Sequence, residues 1–304
     1  MFFSKYYKTF LVLPAVVSLI ALAALLLWGL TPSLDLAGGS LLQINFPQGR
    51  PSVQVVEGVL TPLHLGETRI QATGVSAYVI SSSALTNTQK NTVEQSLETL
   101  GPVQEQQFTS ISPSIGAEVL NKGYLAMGLV IICIILFIAF AFRKVSEPVA
   151  SWKYGIVAII TLAHDMLIPA GLFAVLGHFA GAQVDSLFIV ALLTILGISI
   201  NNTIVVFDRI RENLRRNADA HRREDFPPVV GRSIMQTLSR SINTSSTVVI
   251  VLLALYFFGP TTTQNFALTM LTGMIAGAYS SIFLASPLLL IWEKASGTKQ
   301  KRRA

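Results

Sequence analysis

Gly197-Ile198-Ser199-Ile200-Asn201-Asn202-Thr203-Ile204-Val205-Val206-Phe207-Asp208-Arg209-Ile210-Arg211-Glu212-Asn213-Leu214 is an apolar run that carries two amides and then stops in a burst of charge. Asn201 and Asn202 stand where a membrane span normally has Leu, Val or Ile. Asp208, Arg209, Arg211 and Glu212 mark the point where the span leaves the membrane. Polar groups in hydrocarbon are costly and turn toward the protein interior. The other spans are therefore expected to assemble around this one.

The composition agrees. Of 304 residues, 52% are hydrophobic and 12% charged, and the mean hydropathy is +0.59. A soluble domain carries about 25% charged residues, so the chain reads as an integral membrane protein. The net charge of +6 does not point to nucleic acid, because the basic residues cluster beside apolar runs, as topology signals do. The one cysteine, Cys133, lies inside an apolar run and is read as a buried, inert thiol. With no intramolecular disulfide available, any external domain must fold without that staple.

In chain order, Lys5 and Lys8 precede an apolar run from Leu11 to Leu30. The run is longer than a signal-peptide core and long enough to cross about 30 Å of hydrocarbon as a helix. It is read as an uncleaved first span. Tyr124–Phe142, Tyr154–Leu176, Leu187–Phe207, Ser241–Gly259 and Phe266–Trp292 supply five more. Residues 208–239 read as a charged, partly helical cytoplasmic linker and the C-terminus as a basic tail. Of the 22 basic residues, 18 fall on the side of the termini. The other four are Arg50, Arg69, Lys90 and Lys122. The positive-inside rule then puts both termini in the cytoplasm and residues 31–121 outside.

That segment, 31–121, changes character. Ser40–Phe46 reads as a strand, Ser52–Leu63 as a short helix, and Thr68–Ala72 and Val75–Ser81 as strands around Thr73-Gly74. Asn87–Leu100 reads as a helix closed by Gly101-Pro102, and Val103–Ile111 as a last strand. The order β-α-β-β-α-β fits a small ferredoxin-like domain. The expected fold is thus an all-α six-span membrane bundle with an α+β ferredoxin-like domain inserted between spans 1 and 2. The chain divides into 1–30, 31–121 and 122–304. His64 reads as a surface residue.

Within the spans, Asp165 is the most expensive residue, near mid-span beside His164 and one turn before Pro169. A lone carboxylate there must be protonated, paired or in water. It reads as a proton-handling or gating group, or as a structural hydrogen-bonder between helices. Ser199, Asn202 and Thr203 share a helix face. Arg240, Asn243, Thr244 and Thr247 form a polar stripe at i, i+3, i+4, i+7 on the next span, at a depth where the two faces are expected to meet. Helix glue is the plainer role for Ser and Thr; Arg240 favours a functional one. Gly273, Gly277 and Ser281 read as a small-residue packing stripe. Asp208, Arg209, Arg211 and Glu212 read as a salt-bridged helix end. No metal cluster, nucleotide loop or nucleophile–base pair stands out, so an enzyme is not expected.

Several of these pieces resemble the SecF family, the smaller of two membrane subunits that assist the bacterial Sec protein-export channel. They are Leu34-Asp35-Leu36-Ala37-Gly38-Gly39, Ser114-Ile115-Gly116-Ala117-Glu118, His164-Asp165, Ile204 to Asn213, and Thr237 to Ser245. The resemblance implies a SecD-like partner with six spans of its own, the Sec channel and a translocating preprotein as further partners, and the bacterial cytoplasmic membrane as location. It implies no cofactor, with the proton gradient as energy source. It also implies membership of the resistance-nodulation-division superfamily, whose coupling relies on intramembrane carboxylates and an arginine. The family usually reads Ser-Ile-Asn-Asp-Thr where this chain has Ser199-Ile200-Asn201-Asn202-Thr203. An amide takes up no proton in the relevant range, so Asp165 and a carboxylate of the SecD-like partner become the candidate coupling groups, with His164 beside Asp165 and Arg240 retained to pair with an acid other than residue 202. Two rival readings are a half-transporter of the same superfamily exporting lipid or small molecules, and a non-conducting assembly subunit of the Sec complex.

Overall fold

The computed structural model describes residues 7–66, 68–141, 151–222 and 224–301. Lys5 and Phe142 lie outside them, as do Arg143, Lys144, Arg223, Arg302 and Arg303 and the side chains of Lys299 and Lys301, which belong to the 22 basic residues counted above. The chain divides into two compact units, Pro32–Tyr124 and the remainder.

The small unit begins with a helical turn, α2 (Leu34–Ala37), after the first long helix, α1 (Val12–Trp28). Then come β1 (Gly39–Asn45), α3 (Val53–Leu60) with a 3₁₀ turn at Thr61–Leu63, β2 (Arg69–Thr73), β3 (Ala77–Ser82), α4 (Asn87–Glu98) and β4 (Gln104–Ile111). The sheet order is β2-β3-β1-β4, and every pair is antiparallel. Period-two alternation puts Leu42, Ile44 and Phe46 on one face, opposite Ile80 and Tyr78 of β3. Onto that face α3 sets Val56 and Leu60, and α4 sets Val93 and Leu97, each pair one helical turn apart and buried. The start of α4 is fixed by a capping box: Gln89 N–H donates to Thr86 Oγ1 at 3.3 Å, and Thr86 N–H to Gln89 Oε1 at 2.9 Å. Two of the motifs quoted above meet here. A Cβ on Gly116 would lie 2.8 Å from the Leu36 carbonyl oxygen, and one on Gly38 (φ +74°) 2.5 Å from Pro113 Cα. Only glycine fits either position.

Among the described residues, six helices are long and apolar enough to cross a membrane, so the chain is a multi-pass membrane protein. They are α1, α5 (Pro113–Ala141), α6 (Ser151–Ala180), α7 (Ser186–Asp219), α8 (Phe226–Phe258) and the last helix. The last comprises α9 (Thr261–Ser280), a π-helical turn at Ser281–Ala285 and α10 (Ser286–Lys301). α1 runs parallel to α6: Ser18 meets His164, Ala21 meets Gly171, and Trp28 stacks on His178 with centroids 5.2 Å apart. α7 runs parallel to α9 through Ile195–Gly273 and Ser199–Gly277. Both pairings suit helices that cross a membrane in the same sense. Burial is uneven. The last helix has 61% of its apolar window buried and α7 50%, against 11% for α5 and 17% for α8. The centre is therefore α6, α7 and the last helix together, rather than the 197–214 helix alone.

Residues 208–239, expected as a partly helical linker, are helical over most of their length. α7 continues to Asp219 and α8 begins at Phe226, so the two helices project past the apolar zone as a hairpin. Asn213 clamps it, its Nδ2 donating to Ser233 Oγ and Gln236 Oε1, both at 2.8 Å. Hydropathy stops at Phe207, but i,i+3 and i,i+4 charge pairs sustain the helix beyond it. Cys133 is exposed, not buried, because α5 packs little of its surface against this chain.

The glycines separate close approach from mere tolerance. Gly171→Ala would push a Cβ to 2.5 Å from the Ala21 backbone, whereas a Cβ on Gly197 meets nothing within 4 Å. Gly171→Ala is expected to lower stability by about 1–3 kcal/mol. Gly197→Ala should be neutral or raise it by up to about 1 kcal/mol through helix propensity. Thermal midpoints of the purified protein in detergent check the contrast.

Candidate functional site

α6 carries His164 and Asp165 at its middle, and both are buried, Asp165 completely. Pro169, four residues on, has no N–H to return to the Asp165 carbonyl. The carboxyl is held from two other helices. Its Oδ2 accepts a hydrogen bond from Ser199 Oγ of α7 and another, at 2.9 Å, from Ser280 Oγ of α9. Its Oδ1 is buried and has no hydrogen-bond partner among the described residues. His164 Nε2 lies 4.0 Å from that oxygen. The imidazole is engaged elsewhere: Nδ1 is 2.6 Å from Ser18 Oγ of α1, and Nε2 is 2.6 Å from the Tyr279 hydroxyl of α9. A neutral imidazole donates at one nitrogen and accepts at the other, so Ser18, His164 and Tyr279 form one chain across three helices.

The geometry depends on small residues. At Gly277 a Cβ would sit 3.3 Å from Ser199 Cβ and 3.6 Å from Asp165 Oδ2, so glycine lets α9 come close enough for Ser280 to reach the carboxyl. Immediately after Ser280 the helix widens into its π turn, where Ser286 Oγ donates to the Ser281 carbonyl at 3.1 Å, five residues back. Such turns recur at functional sites.

Chemically this is a carboxyl with one oxygen fully engaged and the other bare, inside the bundle. Gain or loss of a proton there changes how three helices are tied together. An unsatisfied buried acceptor costs about 1–3 kcal/mol, which gives the site a strong response to its own charge.

The other sequence candidates fall in three places. Ser199, Asn202 and Thr203 are all buried on α7. Ser199 serves Asp165, while the Asn202 Nδ2 has no partner among the described residues. Arg240, Asn243, Thr244 and Thr247 are exposed, so the expected meeting of this stripe with Asn202 does not occur within the chain. The reason is the roll of α8. It turns Ser233, Thr237, Ser241 and Ser245 inward at four-residue steps, which carries the Arg240 stripe outward. The stripe's threonines bond back to their own helix, Thr244 to the Arg240 carbonyl at 2.9 Å and Thr247 to that of Thr244 at 2.8 Å. At the charged end, Arg211 pairs with Asp208 at 2.5 Å and Arg209 with Glu212 at 2.7 Å. Among the described residues, no group of three or more metal-capable side chains gathers.

Ser18, Tyr279 and Ser280 were not singled out from the sequence. Ser280 lies three residues after Gly277, beside the Ser281 that the stripe favoured.

Residues 92–295 match the family of the protein export membrane protein SecD/SecF, C-terminal region. Protein translocase subunit SecF of Thermobaculum terrenum is 42% identical over 293 residues, 92% of this chain and 90% of that one. Its counterpart in Anaerolinea thermophila is 37% identical over 276 residues, covering 90% and 87%. The chain belongs to the SecD/SecF family, as one of its SecF members. Among solved structures, SecDF, a translocon-associated membrane protein from Thermus thermophilus, superposes with a TM-score of 0.80 at 28% identity. It covers 97% of this SecF-family chain and 39% of its own length. SecDF in its super-membrane-facing form gives 0.68 at 29% identity, covering 100% and 40%. The chain therefore spans about two fifths of those SecDF chains.

Ser280→Ala is expected to cut preprotein export into vesicles about tenfold, the order of one hydrogen bond to a carboxyl. Ser281→Ala should leave it unchanged. Equal effects of the two contradict the placement of Ser280 at the site.

Proposed function

We propose that this chain is a subunit of a proton-motive-force-driven complex that assists protein translocation through the Sec channel. In this reading it works beside a SecD-like partner in the bacterial cytoplasmic membrane, with both termini cytoplasmic and residues 31–121 outside. The translocating preprotein is the substrate, the proton gradient the energy source, and no cofactor takes part. The sheet order β2-β3-β1-β4, with both helices on one face, supports a ferredoxin-like assignment for the inserted domain.

The observation that carries the proposal is Asp165, bound by Ser199 and Ser280 from two neighbouring spans with one oxygen left bare. A carboxyl inside the membrane zone recurs in proton pathways. The amide of Asn202 does not titrate, so the proton site within this subunit is assigned to Asp165, with His164 beside it. The outward stripe of Arg240, Asn243, Thr244 and Thr247 is assigned to the partner. An arginine on the outside of a membrane helix is costly unless another chain supplies an acceptor or a carboxylate.

Asn202 also favours a second reading, a non-conducting assembly subunit. Export driven by a proton gradient, in vesicles holding the chain with its partner, separates the two. Asp165→Asn is expected to abolish gradient-dependent export and Asn202→Asp to leave it within about twofold, the size of a change that spares the site. Export lost in Asn202→Asp but retained in Asp165→Asn overturns the assignment. Export unaffected by Asp165→Asn supports the non-conducting role.

A further inference from the structure

The two edges of the small unit's sheet are unlike. β4 is bulged: its register to β1 slips between Gln43 and Ile44, leaving Gln106 as the extra residue. Its first turn of chain is also guarded by an ion pair, Lys90 to Glu105 at 2.5 Å. Bulges and charges are the usual protection of an exposed edge. β2, at the other edge, pairs with β3 in unbroken register over all five residues and carries one charge, Arg69. Every second residue of β2 directs its N–H and C=O away from β3, and nothing among the described strands takes them up.

Beside this edge lies a cleft of about 470 Å³. Leu60, Leu65 and Ile70 form its apolar part, and Glu57, Thr61 and His64 stand at its rim. His64 is held in the left-handed region (φ +48°), closing the 3₁₀ turn that shapes one wall. Ile70 pairs with Ile80 and so lies on the helix-bearing face of the sheet. Residues opposite one another on adjacent strands share a face. A further strand laid along β2 would therefore set the residue opposite Ile70 over the cleft. The cleft is large enough to take an apolar side chain.

We propose that the outer edge of β2 and this cleft bind an extended segment of the translocating polypeptide as a fifth strand, with an apolar side chain seated against Leu60, Leu65 and Ile70. This rests on the translocation reading above, which brings an unfolded chain to this unit. The edge offers backbone donors and acceptors, which are matched by backbone alone, and the cleft adds preference for side chains at alternate positions. This is the strand-addition mode of peptide recognition. It reads an apolar residue rather than a sequence, as a subunit serving many exported proteins requires.

The test is disulfide cross-linking in vesicles containing the full chain, its SecD-like partner and the Sec channel, with a stalled model preprotein carrying single cysteines in turn. Cys133→Ser removes the native thiol. Gln71→Cys then reports the β2 edge and Gln107→Cys the β4 edge. Gln71→Cys is expected to cross-link at every second preprotein position, with a yield about tenfold above Gln107→Cys. Thr61→Trp, which fills the cleft from its rim, should remove most of that yield while amide exchange shows β2 and β3 still paired. Equal yields at the two edges, or no alternation, overturn the site. Disulfides between the Gln71→Cys residues of two copies, in place of preprotein, show an edge that pairs copies of this chain and overturn it as well. If the cross-links are absent while export still depends on Asp165, the β2 site fails and the translocation reading stands. If export is indifferent to the chain altogether, both fail.

Discussion

A carboxyl group buried between three helices, with hydroxyl donors from two of them, is the constraint around which the membrane unit is built. Asp165 is fully buried and Ser199 and Ser280 reach the same oxygen. Those bonds require three backbones to lie close together, which explains the glycines at 273 and 277 on the facing side of α9. The adjacent His164 extends the polar centre to α1 through Ser18 and back to α9 through Tyr279. Four of the spanning helices thus meet at two consecutive residues. Hydrophobic packing alone would not select this register in lipid, where the tails are as apolar as the side chains. Polar bonds and close contact select it.

The same economy explains what the chain leaves outside. α5 and α8 bury little of their apolar windows, and Arg240 points outward from α8. A helix with so much free surface belongs against lipid, against another subunit, or against both. The relatives are subunits of a translocase, and the superposed SecDF chains are more than twice as long. An arginine stripe on a lipid-facing helix makes most sense where a second membrane chain covers it.

The spans were legible because hydrocarbon leaves one solution for the backbone, a long apolar helix. The alternation of strands and helices in 31–121 was legible for a similar reason: a sheet packed on one face writes its period into the sequence. Asp165 stood out because charge in a span is rare. Its partners did not. A serine among glycines and alanines looks the same whether it packs or bonds, so nothing in the sequence marks Ser280 as the partner of Asp165. The polar face of α7 showed that something must meet it, not what. Ser199 turned to α6, while the Arg240 stripe, expected opposite, rolled outward because the inward face of α8 was already taken by its own serines and threonines. The full extent of the helical hairpin past Phe207 was not legible because its stability comes from charge pairs and the Asn213 clamp, which hydropathy does not register.

The central claim is that the titrating group of this subunit is Asp165 and that residue 202 takes no part. Infrared difference spectroscopy on the reconstituted complex, acid minus neutral buffer, reads it directly. The account predicts a carboxylic-acid carbonyl band that vanishes in Asp165→Asn and survives in Asn202→Ala. A band unchanged by Asp165→Asn would contradict it.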